Sequence, residues 1–204
     1  MGSLFSINSP LWNLTNKMLQ FLHLSILWLL CSIPIITIGA STTALYTVAF
    51  QLVRNEEGYI TSSFFHALRQ NFKQSTSIWL ILLVIGLTFG IDLVVYSRLD
   101  RIGFIPMLLM TLFFSLFLAF IFLNTYIYPL LAKFHNSIPR SLLNALIMSV
   151  RHWPSSVSML VIFIIILLIE FFLFPPLLLV TPALIAYINA RILTKVFGHY
   201  TPTI

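Results

Sequence analysis

Charged positions in this chain are gathered into short segments, and long uncharged blocks lie between them. No Asp, Glu, Lys or Arg stands between Lys17 and Arg54, or between Arg101 and Lys133. Asp92 alone interrupts the stretch from Lys73 to Arg98, and Glu170 alone the stretch from Arg151 to Arg191. A membrane-crossing helix needs about 20 mostly apolar residues to span the hydrocarbon core. Each block reaches that length, and two can hold more than one crossing. Leu, Ile and Phe fall on every face of these blocks, with no period-two alternation. Helices are therefore predicted rather than the strands of a barrel. The pattern predicts an all-α, polytopic transmembrane helical bundle, a single domain over residues 1–204.

The first block predicts a helix from about Met18 to Ile33, stopped where Pro34 removes a backbone donor and crowds the preceding turn. The small residues Gly39 to Thr43 follow, then a second helical stretch ending at Arg54. The block is either one long kinked helix or a hairpin turning at Pro34–Gly39, which gives about five spans or six. Further spans are predicted near 76–96, 104–131 and 156–174. Pro175 and Pro176 separate the last of these from a helix over about 177–195.

Two segments carry a different pattern. Residues 63–73 and 141–153 read as amphipathic helices lying at the membrane surface, each followed by a span. In the first, Phe64, Phe65, Leu68 and Phe72 are placed on one face. The two echo each other at a shift of 78 residues, with Ser63, Ala67 and Leu68 falling on Ser141, Ala145 and Leu146.

Basic residues concentrate in 54–73 and 133–151. Cytoplasmic loops are enriched in Lys and Arg, so these segments are expected inside and residues 97–102 outside. Arg191 and Lys195 place the C-terminus in the cytoplasm.

Composition strengthens the membrane reading. Only 8% of residues are charged, 59% are hydrophobic, and mean hydropathy is +1.01. The net charge of +6 comes from residues spread over loops, which suits orientation in a bilayer and not a nucleic-acid surface. The single Cys31 leaves no intrachain disulfide and no paired-cysteine metal site. No HExxH, GxSxG or phosphate-loop motif occurs, so neither catalysis, a metal nor a cofactor is expected.

The candidate sites are polar residues inside apolar blocks, where a charge is costly and usually has a task. Glu170 lies deepest, just before the proline pair, and is read as an ion or solute contact or as a helix-packing group. Asp92 sits toward the outer end of its span, within reach of Arg98 or Arg101. His23, Asn124, Thr125 and Asn189 are expected to bond neighbouring helices.

Several stretches together resemble the YesL-like family of bacterial integral membrane proteins, domain of unknown function 624. They are LHLSILWLLCSIPIITIGASTTALY, FFHALRQNFKQS, NALIMSVRHWP and TPALIAYINA. The motif-like residues are Pro34, Thr37, Gly39, Ala44, Leu45, Tyr46, Phe72, Lys73 and Pro182. The resemblance implies a bacterial cell membrane, about five membrane helices and a link to carbohydrate uptake. It supplies no catalytic residues. An accessory or permease-like component working with carbohydrate transporter subunits is the leading expectation. A non-transporting scaffold or sensory protein, and a small autonomous secondary transporter using Glu170, are the alternatives.

Overall fold

A computed structural model describes residues 10–56, 58–98, 104–134, 136–172 and 175–198. Among these residues the chain is entirely helical. Helix α1 runs Pro10–Ser32, α2 Ile38–Val53, α3 Ile60–Arg98, α4 Phe104–Lys133, α5 Ile138–Arg151, α6 Trp153–Phe172 and α7 Thr181–Gly198. Short 3-10 turns at Ile35–Thr37 and Pro175–Leu179 join α1 to α2 and α6 to α7. Prolines stand in the first turns of α1, α4, α5, α6 and α7, where a missing N–H costs nothing.

Four stretches are long and apolar enough to cross a membrane: Ile35–Val53, Ile60–Val95, Pro106–Lys133 and Trp153–Phe172. Their outward faces are lined by large apolar side chains such as Val84, Leu87, Leu112, Leu116, Ile164 and Leu168. A surface of that extent is tolerated in lipid and not in water. The chain is therefore a multi-pass membrane protein. The helices α1 and α7 carry more polar residues and pack against α2 at the centre of the bundle.

The first block folds as a hairpin. Trp28 Nε1 donates to Thr42 Oγ1 at 3.1 Å, and the hydroxyls of Ser32 and Ser41 meet at 2.7 Å. Both bonds tie α1 to an antiparallel α2. The turn is held by the Thr37 hydroxyl, which reaches the carbonyl oxygens of Cys31 and of Pro34 (2.7 Å to the latter). The Cys31 carbonyl lies in the last turn of α1, where carbonyls lack intrahelical donors, and the Pro34 carbonyl also accepts the Thr37 N–H at 2.9 Å.

Helix α3 departs from the expectation of a separate surface helix over 63–73. It is continuous for 39 residues, about 58 Å at 1.5 Å per residue. No proline or glycine stands between residues 60 and 85 to end it. One buried stripe, Phe64, Ala67, Asn71, Ser75, Ile78 and Leu82, runs unbroken through the expected junction. Phe65 and Phe72, grouped with Phe64 by spacing, face outward instead. The first half of α3 packs on α2, where Thr43 Oγ1 and Ser75 Oγ lie 2.9 Å apart. The second half packs on α4, with the Phe89 ring 5.5 Å from those of Phe113 and Phe120.

The second amphipathic segment does break from its span. Pro154 can offer no N–H to the carbonyl four residues back. The chain turns at His152 (φ −109°, ψ 44°), ending α5 at Arg151 and starting α6 at Trp153. The sequence echo keeps its register: Ala67 and Ala145 are both buried, as are Asn71 and Ser149. The final helix begins at Thr181, after the 3-10 turn, and not at residue 177.

Candidate functional site

Helix α2 is the wall on which the site is built. Gly39 lets it approach α3: a Cβ there would stand 2.5 Å from Trp79 Cβ and 2.6 Å from the Ser75 carbonyl oxygen. Trp79 Nε1 donates to the Ile35 carbonyl oxygen at 2.7 Å, fixing the hairpin turn to α3. Ala44, Leu45 and Tyr46 are buried one to two turns further along. Most of the motif residues thus form the seat of α2: Pro34 and Thr37 shape the turn, Gly39 sets the close approach, and Ala44 to Tyr46 fill the core. Phe72 and Lys73 lie exposed on α3. Pro182 stands in the first turn of α7.

Thr42, Leu45 and Tyr46 of α2 border an open cavity of about 400 Å³ lined also by α1, α6, the 175–179 turn and α7. Trp28 and Thr42 line one side, Tyr46 the floor, and Phe163, Leu167 and Glu170 of α6 the other side. Pro182 contributes from α7. Glu170 is 6% exposed, and neither carboxylate oxygen meets a hydrogen-bond partner among the described residues. A second cavity of about 300 Å³ continues the first along α6, sharing Tyr46, Phe163 and Ile185. It is lined by Asn124 and Thr125 of α4, Met159 of α6 and Asn189 of α7. The two form one groove between α6 and the rest of the bundle.

The polar residues singled out in the sequence divide here. Glu170, Asn124 and Asn189 come together on the groove. Asn189 Nδ2 donates to the Tyr46 hydroxyl at 3.2 Å, while its Oδ1 has no donor. Asn124 and Thr125 instead donate to carbonyls of their own helix, at 2.9 Å to Phe120 and 3.0 Å to Ile121. Among the described residues neither makes the interhelical bond expected of it. His23 lies away from the groove, its Nε2 3.1 Å from Thr61 Oγ1 at the start of α3. Asp92 is exposed on the second half of α3. Of its expected partners, Arg101 and the side chain of Arg98 lie outside the described residues.

Two groove residues and one beside the groove carried no signal that set them apart. Trp28 and Phe163 look like any other aromatic in an apolar block. Ser25 is one of many hydroxyls, yet it joins α1 to the head of α7. Its Oγ donates to the Val180 carbonyl oxygen (3.2 Å) and accepts the Ala183 N–H (3.1 Å). That N–H is one of the unpaired donors of a helix's first turn.

Residues 21–93, the second half of α1, the hairpin turn, α2 and most of α3, match the family model DUF624, described as a protein of unknown function. The match is consistent with the resemblance to the YesL-like family. No curated protein and no solved structure matches the chain.

Proposed function

We propose that this protein is a permease-like or accessory membrane component of solute uptake, with carbohydrate as the solute class that the family resemblance implies. The supporting observation is the groove. Membrane helices that serve only to pack are drawn together by close van der Waals contact. Here α6 meets α4 where Ser156 reaches Tyr126, yet two connected cavities bordered by a buried carboxylate lie between it and α2, α4 and α7. Cavities of this size, with a few convergent polar groups on apolar walls, suit small-molecule binding. In this reading α1, α2, α3, α4, α6 and α7 are six spans, and α5 lies at the cytoplasmic surface. The chain has no nucleotide-binding motif, so energy for uptake would come from a partner subunit. Copurification from native membranes and sugar-uptake assays test this reading. Retention of transporter subunits and reduced uptake after deletion are expected; neither partner nor uptake change would refute it.

A scaffolding role has one feature in its favour. Helix α5 turns Ser141, Ala145 and Ser149 inward and leaves Leu143, Leu146, Ile147 and Val150 exposed. An apolar face of this kind suits a membrane surface or a partner helix. Uptake that is unchanged by deletion, with partners still retained, would favour that role.

A further inference from the structure

The groove's unmet polar groups all have the same sense. Glu170 Oε1, Glu170 Oε2 and Asn189 Oδ1 are buried acceptors with no donor among the described residues. Glu170 is more than nine-tenths buried. No Lys, Arg or His of the described residues lines either cavity. The N–H donors of the walls, Trp28 Nε1, Asn124 Nδ2 and Asn189 Nδ2, donate to Thr42, Phe120 and Tyr46, and the Thr125 and Thr181 hydroxyls to the Ile121 and Leu177 carbonyls. The Thr42 and Tyr46 hydroxyl protons remain, fewer than the lone pairs that Glu170 and Asn189 leave unmet.

A ligand that completes such a site must bring N–H or O–H donors without an equal load of acceptors. Each hydroxyl of a neutral polyol brings acceptor lone pairs along with its one donor, and an anion brings acceptors and the wrong charge. An ammonium group brings donors alone, and its charge is opposite to that of a carboxylate. The walls agree with this. Trp28, Tyr46 and Phe163 line the same cavity as Glu170, and aromatic faces attract organic cations in desolvated sites.

We propose that the groove binds a solute carrying a primary or secondary ammonium group, with Glu170 as its counter-ion and Asn189 Oδ1 accepting a further donor. Amino-bearing sugars are the members of this class that also fit carbohydrate uptake. The assignment rests on the reading of the groove as a solute site and narrows the solute to a cation.

The test is titration calorimetry on the purified full-length protein with matched probes: cyclohexylamine against cyclohexanol, and glucosamine against glucose. At least tenfold tighter binding of the amine in one pair is the expected result. Glu170→Gln, which keeps shape and removes charge, should abolish the preference while leaving thermal unfolding in detergent near that of the wild type. The selectivity of the unaltered protein decides the matter even if that variant does not fold. Equal binding of amine and neutral probe, binding of neither, or an amine preference that survives Glu170→Gln would each overturn the assignment. Binding of glucose in preference to glucosamine would overturn it too, yet leave the groove standing as a solute site. Selective amine binding without any effect of deletion on sugar uptake would leave the assignment and sink the carbohydrate reading.

Discussion

Asn189 on α7 and Tyr46 on α2, 143 positions apart in the chain, share a buried hydrogen bond of 3.2 Å. It lies where the two cavities meet and ties α7 to α2. Interhelical bonds of this kind average about 0.6 kcal/mol in membrane bundles, with a maximum of about 1.7. Tyr46→Phe removes the acceptor and keeps the ring, so a loss of about 1 kcal/mol is expected. A double-mutant cycle with Asn189→Leu, read by thermal unfolding in detergent, should give a coupling of that size. A coupling near zero would show that the bond does not hold the helices.

Gly39→Ala should be among the most damaging single-methyl additions in the protein. The added Cβ would fall 2.5 Å from Trp79 Cβ and 2.6 Å from a backbone oxygen, and neither can rotate aside. Relief requires α2 and α3 to separate, which would also loosen the Thr43–Ser75 contact. Overpacking costs typically about 1–3 kcal/mol, and contact with backbone places this case at the upper end. Gly90→Ala, where the added methyl meets nothing within 4 Å, should be tolerated. Comparing folded yield and unfolding temperature of the two variants checks the contrast. Equal behaviour would remove close helix approach as the reason for Gly39.

Ser25→Ala should cost about 1–3 kcal/mol, more than an exposed serine would. The Ala183 N–H would be left buried without an acceptor, and an orphaned buried donor bears its full desolvation penalty. Ser25→Thr keeps the hydroxyl and is expected to retain part of the stability. Unfolding temperatures in detergent distinguish the two. If Ala and Thr variants behaved alike, the hydroxyl would not be capping α7.

Charge placement made the bundle legible, and breaker residues made its turns legible. Lys17, Arg54, Lys133 and Arg151 delimit blocks because a charge leaves lipid whenever it can, and Pro34 and Pro175–Pro176 interrupt helices by their missing donors. Glu170 stood out by the same rule, as a charge that had not left. The continuity of α3 was hidden because an amphipathic helix and a span share one period, and residues 73–76 hold neither break nor bend signal. Which helix a polar group faces was hidden as well. Asn124 and Asn189 look equivalent in sequence, yet only Asn189 meets a hydroxyl from another helix. That difference depends on which neighbouring helix presents a hydroxyl at that level, which no local pattern encodes.

Both helical turns that carry prolines lie at one end of the molecule. The Ser25 bond to Val180 and the cavity shared by Trp28 and Leu178 place the α1–α2 turn beside the α6–α7 turn. Arg54, Lys133 and Phe197 gather at the other end, where Lys133 Nζ lies 5.4 Å from the Phe197 ring centroid and the Phe50 and Phe197 rings are 6.0 Å apart. Cytoplasmic segments are enriched in basic residues, so that second end is predicted to face the cytoplasm. With Cys31 replaced by serine, single cysteines at Gly58 and Asn136 should react with a membrane-impermeant maleimide only after permeabilisation. Cysteines at Ile36 and Leu178, both exposed on their turns, should react in intact cells. Six spans require this pairing, with Ile36 and Leu178 on the same side. Labelling of Ile36 only after permeabilisation would leave the hairpin short of the far surface and reduce the count of complete crossings. Labelling of Gly58 and Asn136 in intact cells would invert the orientation.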